Sequence, residues 1–265
     1  MRSENDPTAI SPYSLAQMDN FYQAFATGSI KPTSVMNYLQ HLFIAERCEP
    51  GNWVLDVCCG RGLQVPLLKQ VVPALGGYVG IDISQEHLQE AGGFIRYGDG
   101  RLPPFPCELI HGDVTSELVR LNRLFDIVIY TSALEHMEKD AGIASLQQIF
   151  CVLHPQGTFY LSTPQTPGSA PKKLQHRVHI YEWEREELEA ELTRIGFIVT
   201  ACYGLLSPEN VLVAAALHDR FGPGAVSWFE ELQHIIPMPF LGPVCAAALP
   251  EIATELFYVC RRCAH

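Results

Sequence analysis

The sequence predicts an α/β fold, an open and mostly parallel sheet with helices on both of its faces. Three observations predict it. Short apolar runs alternate with amphipathic stretches from Val54 to Arg262. The first two runs, Val54-Leu55-Asp56-Val57 and Tyr78-Val79-Gly80-Ile81-Asp82, each carry an acid at or beside their C-terminal end. Between them Gly60 and Gly62 form a tight turn and residues 63–72 read as the helix leaving it, a spacing that suits a right-handed crossover of about 30 residues.

A chain of 265 residues has room for one such domain with an elaboration, and a hydrophobic content of 48% excludes wholesale disorder. The formal charge of −11, from 18 basic against 29 acidic side chains, leaves no broad phosphate-tracking surface, so nucleic acid is not the expected partner. Nine cysteines without regular spacing, and a beginning (Met-Arg-Ser-Glu-Asn-Asp) that lacks the apolar core of an export signal, point to a reduced, cytoplasmic setting. No run reaches membrane-spanning length. Cys260 and Cys263 have C-x-x-C spacing, but no second pair supplies the other ligands of a tetrahedral zinc site, so no metal is expected.

In order, residues 1–12 are polar and proline-punctuated, and residues 13–25 place Leu15, Met18, Phe21, Tyr22 and Phe25 on one helical face. Ser34 is positioned to cap a helix over 35–48, after which Pro50-Gly51 turns the chain into the first strand. Residues 92–106, rich in Gly and Pro, read as a long loop before a third strand over 108–113. Residues 125–130 form the strongest strand, and the loop after it carries Thr131, Glu135 and His136. A helix over 144–153, a stop at His154-Pro155-Gln156-Gly157 and a fifth strand over 158–162 follow. The loop over 163–179, with His176 and His179, is long enough to suggest function. An acidic helix over 181–196 leads to strand six over 197–205. Helices over 211–220 and 226–235 and a proline-rich run then precede a last strand over 253–262.

The turn decides the ligand. A dinucleotide cradle has G-x-G-x-x-G and takes a pyrophosphate, whereas here a carboxylate, Asp56, precedes G-x-G and repels phosphate. Asp56-Val57-Cys58-Cys59-Gly60-Arg61-Gly62 resembles the first motif, D/E-x-G-x-G-x-G, of the class I S-adenosylmethionine-dependent methyltransferases, with Cys58 in place of the first glycine. The resemblance covers about residues 45–205 and the last strand. It implies a Rossmann-like, seven-stranded, mostly parallel sheet whose last strand is antiparallel between strands five and six, with helices on both faces. On that reading residues 1–48 form an N-terminal helical extension, 49–205 the cofactor-binding core, 206–250 a helical insertion and 251–265 the last strand. The insertion, on the ligand edge, is either a cap over the substrate pocket or a contact between two copies of the chain, so a homodimer stays open.

The resemblance also assigns roles. S-adenosyl-L-methionine is the implied cofactor, seated on Asp56, Cys58, Gly60 and Gly62. Asp82 would accept from the ribose hydroxyls, Ile83 would flank the adenine, and Asp113 with the Val114 backbone would read its edge, although Asp82 and Asp113 also suit helix caps. Thr131 would border the cofactor and Tyr22 would form part of a lid. Methyl transfer from a sulfonium asks the protein to position the acceptor and remove a proton. His136 and His179 are the candidates for that proton, Glu135 the candidate for a cationic or amine acceptor; each also suits a structural role. The expected substrate is a small molecule, methylated on O, N or C. A tRNA or protein methyltransferase and a catalytically idle cofactor-binding module are the alternatives.

Overall fold

The structure, a computed structural model, describes residues 31–96, 100–166 and 174–263. The helix expected over 13–25, and Tyr22 with it, lies outside them. Helix α1 (Pro32–Ala45) leads into β1 (Trp53–Val57), α2 (Gln64–Val71), β2 (Gly77–Asp82), α3 (Gln85–Phe94) and β3 (Cys107–His111). Then come β4 (Phe125–Thr131), α4 (Lys139–Val152), β5 (Leu153–Pro164), α5 (Arg185–Ile195) and β6 (Phe197–Leu206). Helices α6 (Asn210–Phe221), α7 (Pro223–Gln233) and α8 (Met238–Ala248) separate β6 from β7 (Glu255–Arg262).

The strands form one seven-stranded sheet in the order β3-β2-β1-β4-β5-β7-β6. All neighbours are parallel except the pairs of β7 with β5 and β6, as the resemblance implied. Consecutive strand residues feed opposite faces. Leu55, Val128 and Phe159 join Leu146 and Ile149 of α4 and Leu188 and Leu192 of α5. Val54, Ile127 and Tyr160 join Met36 and Ile44 of α1 and Val65 and Leu68 of α2. That two-sided burial is why the central strands read as unbroken apolar runs. The strand pairing points the C-terminal ends of β1, β2, β4, β5 and β6 to one edge, where a parallel sheet binds its ligands.

Several boundaries differ from expectation. The first helix starts at Pro32, whose missing N–H costs nothing in a first turn, so Ser34 lies inside the helix and Lys31 is the cap. The expected loop over 92–106 begins with helix, since α3, capped by Ser84, runs through Gly92 and Gly93 to Phe94. Strand β3 stops at His111. Residues 154–157 belong to a strand with an irregular register against β4, and the two strands run so close at Gly157 that a side chain there would strike the Asp126 carbonyl at 2.8 Å. The acidic helix starts only at Arg185, because the N–H groups of Ile180 and Tyr181 donate to the Glu135 carbonyl and Trp183 is buried.

The proline-rich run after α7 hides a third helix, α8, with Pro239 in its first turn and Pro243 inside it. It is held by packing: the Ala246 carbonyl presses on β6 where only Gly204 leaves room, and a side chain there would meet it at 2.2 Å. Val213, Leu217, Phe229, Leu241, Cys245 and Leu249 give the insertion a small core of its own. Among the described residues no helix is long and apolar enough to cross a membrane.

Candidate active site

At the end of β1 the chain turns through three residues of positive φ: Cys58 at 56°, Gly60 at 52° and Gly62 at 71°. Cys58 therefore occupies a left-handed position that glycine fills without strain, at a cost of about 1 kcal/mol. A side chain at Gly60 would meet nothing within 4 Å, so the turn opens toward free space. At Gly62 a side chain would press on Ala91 of α3 at 3.2 Å, which explains the second glycine by packing. The N–H of Cys59 donates to the Ile81 carbonyl at 3.0 Å, tying the turn to β2.

Asp82 organises this turn. Its Oδ2 accepts from the Gly60 N–H at 2.8 Å and its Oδ1 from the Ser84 N–H at 2.8 Å. A carboxylate has about four lone-pair positions, so two remain for further donors. Asp56 lies deeper, buried, with its Oδ2 accepting from the Tyr78 hydroxyl at 2.7 Å. Burial pushes its carboxyl up to about 7 against the lowering effect of Tyr78, and the Asp82 charge adds to the rise. Cys58 sits between the two halves of the edge: burial raises its thiol, and the charges of Asp82, Asp56, Glu135 and Asp113 raise it further. It stays a neutral thiol.

Ile83, directly after Asp82, is 68% exposed at the rim. Asp113 spends its side chain on a local turn, Oδ1 accepting from the Thr115 N–H at 2.9 Å and the Thr115 hydroxyl at 2.7 Å, and Val114 is buried behind it. Thr131 ends β4 half-buried, and Ser132, at φ 48°, redirects the chain into a short 3₁₀ turn over Leu134–His136.

That turn carries the second half of the site. Glu135 is buried, its Oε2 accepting from the Thr163 hydroxyl at 3.2 Å and its Oε1 lying 3.9 Å from Nε2 of His136. The Nδ1 of His136 bonds the Val178 carbonyl at 3.1 Å, and that of His179 bonds Oε1 of Glu182 at 2.5 Å. The two rings meet edge to face with centroids 5.3 Å apart. Glu182 is itself held by the Gln175 N–H and the Thr166 hydroxyl. Burial raises the Glu135 carboxyl, while its own backbone N–H, His136, His179 and Thr163 pull it down. Glu255, also buried and 3.5 Å from the Ser132 hydroxyl, is pushed well above the carboxylate range by burial and then by the Glu135 charge.

A family model described as a methyltransferase domain matches residues 35–201. The chain belongs to the class I S-adenosylmethionine-dependent methyltransferases. Demethylmenaquinone methyltransferase of Lactobacillus johnsonii is 33% identical over 129 residues, which are 48% of this chain and 50% of that protein, so the chain spans about half the length of the curated relative it matches. Similar solved structures include the [4+2]-cyclase SpnF, at 18% identity and TM-score 0.57 over 86% of this chain and 82% of that one. The small RNA methyltransferase HEN1 superposes with TM-score 0.59 at 18% identity, over 88% of this chain and 25% of that one. An S-adenosylmethionine-dependent methyltransferase from Archaeoglobus fulgidus gives 0.55 at 15% identity, over 92% and 100%. At these identities the likeness shows the fold alone.

For a methyltransferase cofactor, the open side of Gly60 and the free lone pairs of Asp82 fit a nucleoside bearing a positive charge. Sequence reasoning missed Tyr78 and Ser84, which hold the two aspartates, and Glu182, which orients His179. Glu182 had a signal: it stands three residues after His179.

Proposed function

We propose that the protein transfers a methyl group from S-adenosylmethionine to a small molecule with an ionisable hydroxyl, either the attacking oxygen itself or a phenol that activates a neighbouring ring carbon. One observation carries the reading. Glu135, His136 and His179 converge at the end of β4, on the same sheet edge as the Asp82 cradle, and their donor atoms lie within 4.8 Å of one another. The cofactor, when bound, supplies an electrophilic methyl on a sulfonium. The chain's task is then to hold the acceptor in line and favour its anion.

The residues present suit that task. Asp56 and Asp82 complement the ammonium and the ribose of the cofactor. On the acceptor side the Nδ1 atoms of both histidines are engaged, which leaves each Nε2 as the nitrogen available there. Helices α6–α8 leave the sheet on this same edge, and on this reading they cap the acceptor pocket. A relative named for a quinone acceptor supports a small-molecule substrate.

Calorimetry with S-adenosylhomocysteine, followed by a labelled-methyl screen against hydroxylated aromatics, RNA and protein, tests the reading. Saturable binding with label in a hydroxylated small molecule is the expected result. Label in RNA or protein alone, or no binding, overturns it.

A further inference from the structure

We propose that Glu135, His136 and His179 form a binding site for a divalent transition-metal ion of the zinc, manganese and cobalt class, whose open positions receive the acceptor's oxygen. The inference rests on the methyltransferase reading for its role but not for the site itself. Two imidazoles and one carboxylate are a ligand set that such ions take while keeping positions free for substrate. One donor atom from each residue lies within 4.8 Å of the others, and Oε1 of Glu135 is 3.9 Å from Nε2 of His136. Bonds of about 2.1 Å at tetrahedral angles span roughly 3.4 Å between donors, so a side-chain shift of about half an ångström closes that pair on an ion.

The supporting contacts are those of a metal site. A ligating histidine ordinarily gives its other ring nitrogen to a carbonyl or a carboxylate, which fixes the tautomer and aims the free nitrogen. His136 does this with the Val178 carbonyl and His179 with the Glu182 carboxylate. Glu182 in turn is fixed by Gln175 and Thr166, and Glu135 by Thr163. His136 is exposed, so its bond to Val178 is not needed to satisfy the ring in solvent.

Charge points the same way and independently. Glu135 and Glu182 are 2% and 3% exposed. Among the described residues no lysine or arginine pairs with either; only His136 and His179 lie within ion-pair distance. Buried carboxylates without a cation are costly, and a divalent ion is the compact charge that would offset them. The sequence reading expected no metal because it looked for cysteine pairs, whereas these donors come from two loops far apart in the chain.

The test uses the full chain, stripped with a chelator and titrated with Co²⁺ by visible absorption and with Zn²⁺ by calorimetry, alongside S-adenosylhomocysteine binding. One equivalent of Co²⁺ should bind with ligand-field bands, and His136→Gln should abolish them. Glu182→Gln, which touches the ion only through His179, should weaken the ion by about 10- to 100-fold. His218→Ala, an exposed histidine elsewhere, should leave it unchanged. Each variant must retain S-adenosylhomocysteine affinity, which shows that it is folded; if Glu182→Gln fails this, His136→Gln decides alone. A wild type that binds S-adenosylhomocysteine but takes no Co²⁺ or Zn²⁺, or takes them equally well as His136→Gln, overturns the ion site and leaves the methyltransferase reading standing. Binding of the ion without S-adenosylhomocysteine supports the site and removes that reading instead.

Discussion

At the ends of β1 and β2 the groups that would face a ligand are backbone amides and two aspartates, all drawn from one strand–turn–helix–strand unit. At the ends of β4 and β5 they are side chains, contributed by the turn over Leu134–His136, by Thr163 and by the segment over 175–182, and steadied by β7 through Glu255. The first half is local and rigid because the turn's conformation makes it; the second is assembled by the fold. A backbone cradle can serve one cofactor in many proteins, whereas an assembled pocket changes its acceptor with a few substitutions. The two halves should therefore respond separately to mutation.

Asp82→Ala breaks the comparison most severely if it holds. The substitution leaves the Gly60 and Ser84 N–H groups without their acceptor and removes the carboxylate proposed for the ribose. Two hydrogen bonds to a charged group, at about 1.5–3 kcal/mol each, imply a loss of S-adenosylhomocysteine affinity of about 100-fold or more. Calorimetry checks it. A loss below tenfold would mean that the ribose is held elsewhere.

Glu182→Gln probes the other half. With His179 no longer oriented by a carboxylate, turnover should fall by about 10- to 100-fold, the usual cost of losing the partner that orients an active-site histidine. Affinity for S-adenosylhomocysteine should stay within about twofold, because distant sites add independently. If both parameters fall together, the two halves are one coupled unit and the comparison fails.

How far each half could be read in advance follows from the same contrast. Asp56, Gly60, Gly62 and Asp82 announce themselves because the spacing of acids and glycines along one βαβ unit is the geometry. Cys58 was legible as a departure from a glycine motif, but its positive φ was not. On the acceptor side Glu135, His136 and His179 were visible as residue types on upper loops, yet their meeting depends on the Glu135 carbonyl accepting from Ile180 and Tyr181, which no periodicity encodes. Helix α8 was hidden for a similar reason: its prolines argue against a helix, and its packing on Gly204 of β6 overrides them.

Proton linkage at Asp56 sharpens the cofactor half further. Its folded pKa, about 7, lies above that of a free aspartate, so the folded state holds more protons between about pH 4 and 7 and the stability this group contributes falls as pH rises through that window. A cationic ligand prefers the ionised form. Affinity for S-adenosylhomocysteine, whose ammonium remains, should weaken by about tenfold from pH 8 to pH 6, and Asp56→Asn should flatten that slope. A flat wild-type profile would place the ammonium away from Asp56.

The smallest effect expected is at Cys58. Its left-handed conformation costs about 1 kcal/mol or slightly more, and Cys58→Gly relieves it. Glycine also gains freedom in the unfolded chain, which takes back about 0.4–1 kcal/mol. The net gain should be about 0.5 kcal/mol, a rise in melting temperature of about 1–2 °C for a chain of this size. Cofactor affinity should hold, since the cradle is formed by the backbone and the cysteine stays a neutral thiol. If instead Cys58→Gly loses cofactor affinity while stability rises, the thiol itself touches the ligand, and the β1–β2 half would owe part of its recognition to a side chain after all.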